Sequence, residues 1–318
     1  MFLNNYNYFI ALAEEKNISR AAEKLFISHQ CLSKYLKNLE QYYQVTLFER
    51  IPQLTITPAG EALLDTLRKI QLLDMNLESQ LDGIRQSKRG LIRFGTTEGR
   101  YRILIPSLLS DFKKLYPDVT FEVDYATSEQ LIESTLNNKL DLVLINESPV
   151  DHNQLTAQTI LEEKLYLVIS DNMLKKYFPE NYPKCKKVFG TKGIDLSLFQ
   201  HVPFILNKRT FSSRIAIDTF TNALGIQLNC VMELTQLDLH FMLSAQDYAA
   251  SFCWSMYIPT IKNMNKTNPD NKLNIFPIRR FNAQNHMILL TKKGKILPEY
   301  GKVLIEMIKS ACSTFTLN

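Results

Sequence analysis

Residues 17–60 read NISRAAEKLFISHQCLSKYLKNLEQYYQVTLFERIPQLTITPAG, and the order of signals in this stretch decides the fold of the N-terminal part of the chain. Ser28 stands where a helix N-cap is needed, its hydroxyl able to accept a backbone N–H that the first turn leaves without a partner. From there Leu32, Leu36, Leu39 and Tyr43 recur at helical spacing and make one apolar stripe. Gln30, Lys34, Lys37 and Gln41 therefore share the opposite face, with Ser33 on its flank. Amides near the helix start with ammonium groups behind them suit a major groove, where Gln reads base edges and Lys neutralises phosphate. A shorter helix precedes, with Ser19 as its expected N-cap and Ala21, Ala22 and Leu25 on the side that crosses the second helix. Phe9, Leu12 and Ala13 from an earlier amphipathic segment close a three-helix core. VTLFE (45–49) and LTIT (54–57) then read as two short β runs around Ile51-Pro52-Gln53, and Thr57-Pro58 opens another helix as an N-cap and N1 pair. The whole describes a winged helix-turn-helix over residues 1–58.

A small helical domain with a solvated polar face would show the same periodicity, so residue identity has to decide. The run YFIALAEEKNISRAAEKLFIS, then LSKYLKNLE, LFER and LTITPAGEALL, resembles the N-terminal domain of LysR-type transcriptional regulators, with the motifs in order. The resemblance implies a homo-oligomer, a dimer or a tetramer, that binds double-stranded DNA at an inverted-repeat operator. The DNA-facing residues are then Ser19, Ser28, His29, Gln30, Ser33, Lys34, Lys37 and Arg50. His29-Gln30 and Tyr35 depart from the family's usual residues, so operator preference does not carry over. The wing is also poorer in cations than the family's, with Ile51-Pro52-Gln53 leaving Arg50 alone.

Leu63, Leu67, Ile70, Leu73, Leu77, Leu81 and Ile84 recur at spacings of three and four over residues 59–89. That predicts an amphipathic helix about 45 Å long at about 1.5 Å per residue, better suited to dimerisation than to a domain core. Lys88-Arg89-Gly90 would end it and act as a hinge. In the family resembled, such a linker helix pairs two winged heads.

A chain of 318 residues, 45% hydrophobic and 22% charged, is globular and long enough for several domains. Its formal net charge is +5, and residues 1–90 hold 11 Lys or Arg against 10 Asp or Glu. DNA affinity must therefore come from where the cations sit and from presenting two heads together. The five cysteines show no CxxC and no clustered His, which excludes a disulfide framework and leaves no metal or cofactor expected. Cys230 and Cys253 fall in apolar strand-like runs and are expected to be buried packing thiols; a redox-sensing pair is the alternative. GxSxG, HExxH and P-loop motifs are absent, so no enzyme is expected. No signal peptide is read at the N-terminus, and Phe241–Ile258 is interrupted by Gln246, Asp247 and Tyr248, so a cytoplasmic protein without a membrane partner is expected.

From residue 90 onward, buried β runs alternate with amphipathic helices: LIRFG, VTFEVDYA, LDLVLI, KLYLVIS, VPFIL, LNCVMEL, YAASFCW, LNIFPI and HMILLT. The fold class is thus α/β and multidomain: an α-rich head, a linker helix and open, largely parallel sheets in two subdomains. Subdomain I takes about 90–163 and 267–318, and subdomain II about 164–266. RFGTTEG, ILIPSLLSDFKKLYPDV and LNNKLDLVLI resemble the effector-binding domain of the same family, which is of periplasmic-binding-protein type with a small-molecule effector in its cleft. The resemblance places Thr96, Thr97, Glu98, Ser128 and Asn146 on one wall, and Lys208, Thr210, Ser212, Thr235, Gln246 and Asp247 on the other. Glu98 at a helix start satisfies the dipole, which favours a polar or amphoteric effector over a pure anion unless Arg100, Arg102 or Lys208 compensates. A solute-binding protein would share this cleft, but not the winged head. A ligand-independent DNA-binding regulator is the other alternative.

Overall fold

The protein, described by a computed structural model over residues 5–50, 53–85 and 89–315, divides into two compact units. The first is built mainly from residues 1–87, the second from 88–135, 140–293 and 299–318.

The first unit runs α1 (Tyr6–Glu15), α2 (Ile18–Lys24), α3 (His29–Tyr43), β1 (Phe48–Glu49), β2 (Thr55–Ile56) and α4 (Pro58–Ile84). The Ser28 hydroxyl caps α3 by accepting the Cys31 N–H at 3.2 Å. The cap of α2, however, is Asn17, which accepts the Arg20 N–H at 3.1 Å and leaves Ser19 inside the first turn. Left-handed Lys16 closes α1, so extended Asn17 is the one residue between the helices in cap geometry. Phe9, Leu12, Ala21, Ala22, Leu32, Leu36, Leu39, Leu47 and Phe48 form the core. Tyr43 leaves the stripe and is 41% exposed, because α3 ends beside it at left-handed Gln44. Strands β1 and β2 pair as the wing ribbon, whose tip at Ile51 and Pro52 lies outside the described residues.

Thr57 caps α4 through the Gly60 N–H at 3.1 Å, with Pro58 at its start. Gly60 is required by closeness: a Cβ there would lie 2.3 Å from the Leu47 carbonyl oxygen. The apolar stripe of α4 divides in two. Leu64 and Leu67 are buried in the head core, with Leu63 and Ile70 packed against it. Leu73, Leu77 and Leu81 are 68%, 53% and 38% exposed. The first half thus completes the head, while the second half leaves these leucines exposed. Of the expected hinge, Lys88 lies outside the described residues, while Arg89 and Gly90 are already strand residues paired with Asp118 and Val119. A Leu73→Glu, Leu77→Glu double variant is expected to sediment as a smaller species at micromolar concentration. A two-fold seam would lose four leucines at about 1.5–3 kcal/mol each. An unchanged sedimentation coefficient would remove the seam.

The second unit holds two five-stranded sheets. The first joins β3 (Arg89–Thr96), β4 (Asp118–Tyr125), β5 (Leu142–Asn146), β6 (Leu155–Glu163) and β12 (Asn285–Lys292) in the order β4-β3-β5-β12-β6. It carries α5 (Glu98–Leu115), α6 (Ser128–Leu136) and α12 (Glu299–Ser313). The second subdomain contains β7 (Leu165–Ser170), α7 (Asp171–Tyr177), α8 (Lys184–Lys192), β8 (Pro203–Leu206), α9 (Ser212–Ala223), β9 (Asn229–Glu233), α10 (Leu237–Ala245), β10 (Ser251–Trp254), α11 (Ile258–Thr267) and β11 (Leu273–Pro277). Its strands run β10-β7-β11 and β8-β9, and Ala250 joins the two sets by bonds to Pro203 and Ile205 at 2.8 Å. The resulting order, β9-β8-β10-β7-β11, repeats the plan of the first sheet.

Each sheet has a parallel trio and one strand against the grain: β12 in the first and β7 in the second are antiparallel to both neighbours. These are the strands that enter directly after a crossing between subdomains, with no helix to reverse the chain, so the sheets are less parallel than expected. The return crossing also falls after Pro277 rather than near residue 267, because β11 pairs with β7. β6 escapes sequence reading: an edge strand whose middle is Thr156-Ala157-Gln158-Thr159 has no apolar run to announce it.

Candidate functional site

The DNA-facing surface begins with which cations are free. On α2, Arg20 donates to the Glu15 carbonyl at 2.7 Å, and Lys24 lies 3.1 and 3.0 Å from Glu14 and Glu15. On α3, Lys34 and Lys37 are exposed and neither is paired with a carboxylate among the described residues. His29 and Gln30 are exposed beside them, and Ser33 Oγ lies 3.5 Å from His29 Nδ1. The exposed face of α3 thus carries ammonium groups without a carboxylate partner among the described residues, although the unit is nearly neutral. Arg50 is 3.4 Å from Glu40, whose other oxygen accepts the Leu47 and Phe48 N–H groups at 2.9 and 3.3 Å. Its charge is partly spent fastening the wing to α3. Ser19 is exposed on α2. Tyr35, one of the departures, turns toward the core and packs edge-on against Tyr8 at 5.3 Å; burial pushes its phenol up to about 12.

In the second unit the structure assembles a polar chain. Thr97, extended at the start of α5, accepts from Arg100 Nη1 at 3.3 Å. Arg100, 6% exposed, donates through Nη2 to Glu163 Oε2 at 2.9 Å. Glu163 is the last residue of β6, fully buried, and also accepts from Asn285 Nδ2 at 2.9 Å and the Met256 N–H at 3.4 Å. Asn285 donates in turn to Asn146 Oδ1 at 3.0 Å, and Asn146 Nδ2 lies 3.4 Å from Ser212 Oγ. The chain Thr97–Arg100–Glu163–Asn285–Asn146–Ser212 runs from the first strand end of subdomain I, through both crossings, to the start of α9 in subdomain II. Burial raises the pKa of Glu163 against the opposing pull of Arg100, Asn285 and the Met256 amide. Arg100 Nε is buried without a partner among the described residues. Gly99 makes room for this packing, since a Cβ there would meet the Tyr257 hydroxyl at 2.1 Å.

A second link joins the walls. Arg102 lies 3.3 Å from Glu98 on its own helix and 3.5 Å from Asp238 in the first turn of α10. Glu98 is thereby compensated by Arg102.

The other residues named from sequence are not members of this hydrogen-bonded chain. Thr96 is buried and donates to the Leu144 carbonyl at 2.9 Å, a tie between β3 and β5. Ser128 is half-buried on the first turn of α6, which Thr127 caps through the Gln130 N–H at 3.4 Å. Lys208 and Thr210 are exposed on the loop before α9, and Thr235 donates to Gln236 at 3.0 Å. Asp247 accepts from Ser170, Asn172 Nδ2 (2.9 Å) and Asn271 Nδ2 (2.8 Å); burial opposes, but these donors hold its carboxyl below the usual range. Ser170 ends β7, about 16 Å of strand beyond Leu165 at about 3.3 Å per residue, so Asp247 braces the far end of subdomain II. Gln246 lines a shallow hollow of about 210 Å³ with Met242, Met264 and Asn268. Both residues are corrected from cleft ligands to that region, where the turn after α10 closes with left-handed Asp247.

Sequence reasoning missed Glu163 and Asn285 and treated Arg100 only as a compensating charge. Thr97 and Arg100 at a three-residue spacing were the local signal; Glu163, within Glu162-Glu163-Lys164, looks like a solvated charge run. Cys230, expected to be buried, is exposed on edge strand β9, whereas Cys253 is buried and its thiol is pushed well up by burial. A thiol so raised is a poor thiolate source, which disfavours a redox pair.

Residues 85–313 match the family described as LysR substrate binding domain, and residues 3–61 match bacterial regulatory helix-turn-helix protein, lysR family. The transcriptional dual regulator GltC of Bacillus subtilis is 30% identical over 226 residues, covering 70% of this chain and 71% of its own. The HTH-type transcriptional activator CmpR of Synechocystis sp. is 23% identical over 308 residues, 96% of this chain and 94% of its own. Among solved structures, a full-length OxyR variant from Pseudomonas aeruginosa shares the fold with a TM-score of 0.64 at 18% identity, over 98% of this chain and 94% of that one. Full-length CbnR complexed with its target DNA shares it with a TM-score of 0.54 at 20% identity, over 98% and 100%.

Proposed function

Because this chain belongs to the LysR family of transcriptional regulators, we propose that it binds an inverted-repeat operator through α3 of two paired heads, under control of a small molecule bound between its α/β subdomains. Its place of action is the cytoplasm, where the DNA is, and it regulates rather than catalyses. The free ammonium groups of Lys34 and Lys37 beside Gln30 and His29 support the DNA part. The observation that carries the effector part is the polar chain from Thr97 to Ser212. A ligand that replaces any of its bonds acts at once on both walls and both crossings, so closure and ligand occupancy are coupled. A coupling of about 1–3 kcal/mol suffices to change head spacing on DNA. Hydroxyl, amide and guanidinium donors next to the acids Glu98 and Asp238 favour a polar, amphoteric effector.

Selection of genomic fragments by the full-length protein, with Lys34→Glu protein alongside, tests the regulator reading. Enrichment of an inverted repeat by the unmutated protein alone supports it, and equal enrichment by both removes it. Genes flanking that site nominate effectors. A nominated effector should raise the melting temperature of the wild type by several degrees and that of Thr97→Ala by much less; equal shifts would take Thr97 out of the site.

A further inference from the structure

Phe26, in the turn between α2 and α3, is 96% exposed and has a φ of 56°. The turn is a Schellman ending: the Phe26 N–H donates to the Glu23 carbonyl at 3.1 Å and the Ile27 N–H to the Ala22 carbonyl at 3.0 Å. That ending requires a left-handed residue at this position and favours Gly or Asn, since a bulky L side chain is strained there. Lys16 and Gln44 adopt the same conformation after α1 and α3, but their polar side chains are solvated. At Phe26 the strain comes with an aromatic ring left in water.

Two residues later Ser28 caps α3, and exposed His29 and Gln30 start its reading face. A recognition helix meets base edges with its N-terminal residues, so the turn leading into it is continuous with the groove-facing surface. We propose that Phe26 is a further DNA-contact residue, laying its ring on the apolar edge of the duplex. That edge is either a thymine 5-methyl group in the major groove or the C–H face of the adjoining deoxyribose. Polar groups of α3 set register and read bases, while the ring seals water from the groove end of that face. The proposal rests on α3 being the reading helix, and the test separates the two.

The probe is the operator duplex selected by the full-length protein, titrated with wild type, Phe26→Asn and Lys34→Glu at several salt concentrations. Phe26→Asn relieves the strain, so its melting temperature should rise, and any loss of binding cannot come from unfolding. Its affinity should fall about ten-fold, the order expected for losing a partly buried ring at a contact. The salt slope should be unchanged, because no phosphate contact is removed. Replacing half-site thymines one at a time by deoxyuridine then identifies the edge. Weakening of wild type but not of Phe26→Asn at one position marks a methyl contact, and indifference at every position marks the sugar. Wild-type affinity in Phe26→Asn with loss in Lys34→Glu would overturn the proposal alone, including where only transcription in vitro falls and the ring serves a protein partner. Retained affinity in both variants would overturn the groove assignment of α3 and Phe26 with it.

Discussion

Lys34→Glu protein is expected to lose sequence-specific DNA binding, with affinity for the selected operator falling by about 100-fold or more and the log–log salt slope shrinking by about 2 for a paired operator. The size follows from what is free on the head. The cations of α2 are held by Glu14 and Glu15, and Arg50 is shared with Glu40. Lys34 stands on the exposed face of α3 one turn behind Gln30. Reversing its charge removes a phosphate partner from each head and sets a carboxylate against phosphate. Anisotropy titrations at three salt concentrations measure this, and sedimentation should show the oligomer intact. Specific binding that survives the substitution would mean that α3 is not the reading helix.

Arg100→Met and Glu163→Met are each expected to destabilise the protein by about 3–5 kcal/mol, while the double variant costs far less than their sum. Each single change strands a charge in a place with 6% or 0% exposure. Removing both leaves an apolar pair in its place, with the Thr97, Asn285 and Met256 bonds left open. Urea unfolding across the four proteins gives the coupling, and additive losses would show that the two groups do not act as a pair. The pH dependence carries a sign. Glu163 has a raised pKa in the fold, so its proton is bound more tightly folded than unfolded. That contribution is fully present below the unfolded value of about 4.3 and is lost as pH rises through the folded one. Arg100→Met removes the attraction that opposes burial and raises that pKa further, so its deficit against wild type should narrow between pH 7 and pH 5. A deficit that widens on acidification would contradict the assignment.

The fold ties the two crossings together by hydrogen bonds from Arg100 and Asn285 to Glu163. A polar joint of this kind is satisfied in one arrangement and costly in others.

Much of the architecture was legible along the chain because it is written in local terms. The Ser28 cap, the α3 stripe, the Thr57-Pro58 helix start and the alternation of β runs with helices each depend on neighbours within a few residues. The family motifs named candidate DNA-facing residues, of which His29, Gln30, Ser33, Lys34 and Lys37 lie on α3. The α4 stripe showed the limit: seven apolar positions looked alike, yet Leu67 is 1% exposed and Leu73 is 68% exposed. Periodicity reports a face and not what covers it.

By itself, then, the sequence determined the kind of protein: a winged head, a long helix and an α/β body, each specified by periodicity, caps and motif order. Tertiary structure alone decided which polar residues meet. Asn17 displaced Ser19 as a cap through the turn that Lys16 imposes, and Asp247 went to the far end of β7. Arg100 found Glu163 across 63 residues, and Asn285 found Glu163 across 122. The physical reason is that burial and partner choice for a charged side chain are set by the crossings of the chain in space, where desolvation makes pairing obligatory. No local pattern in Glu162-Glu163-Lys164 distinguishes the one acid that is buried from the one left in water.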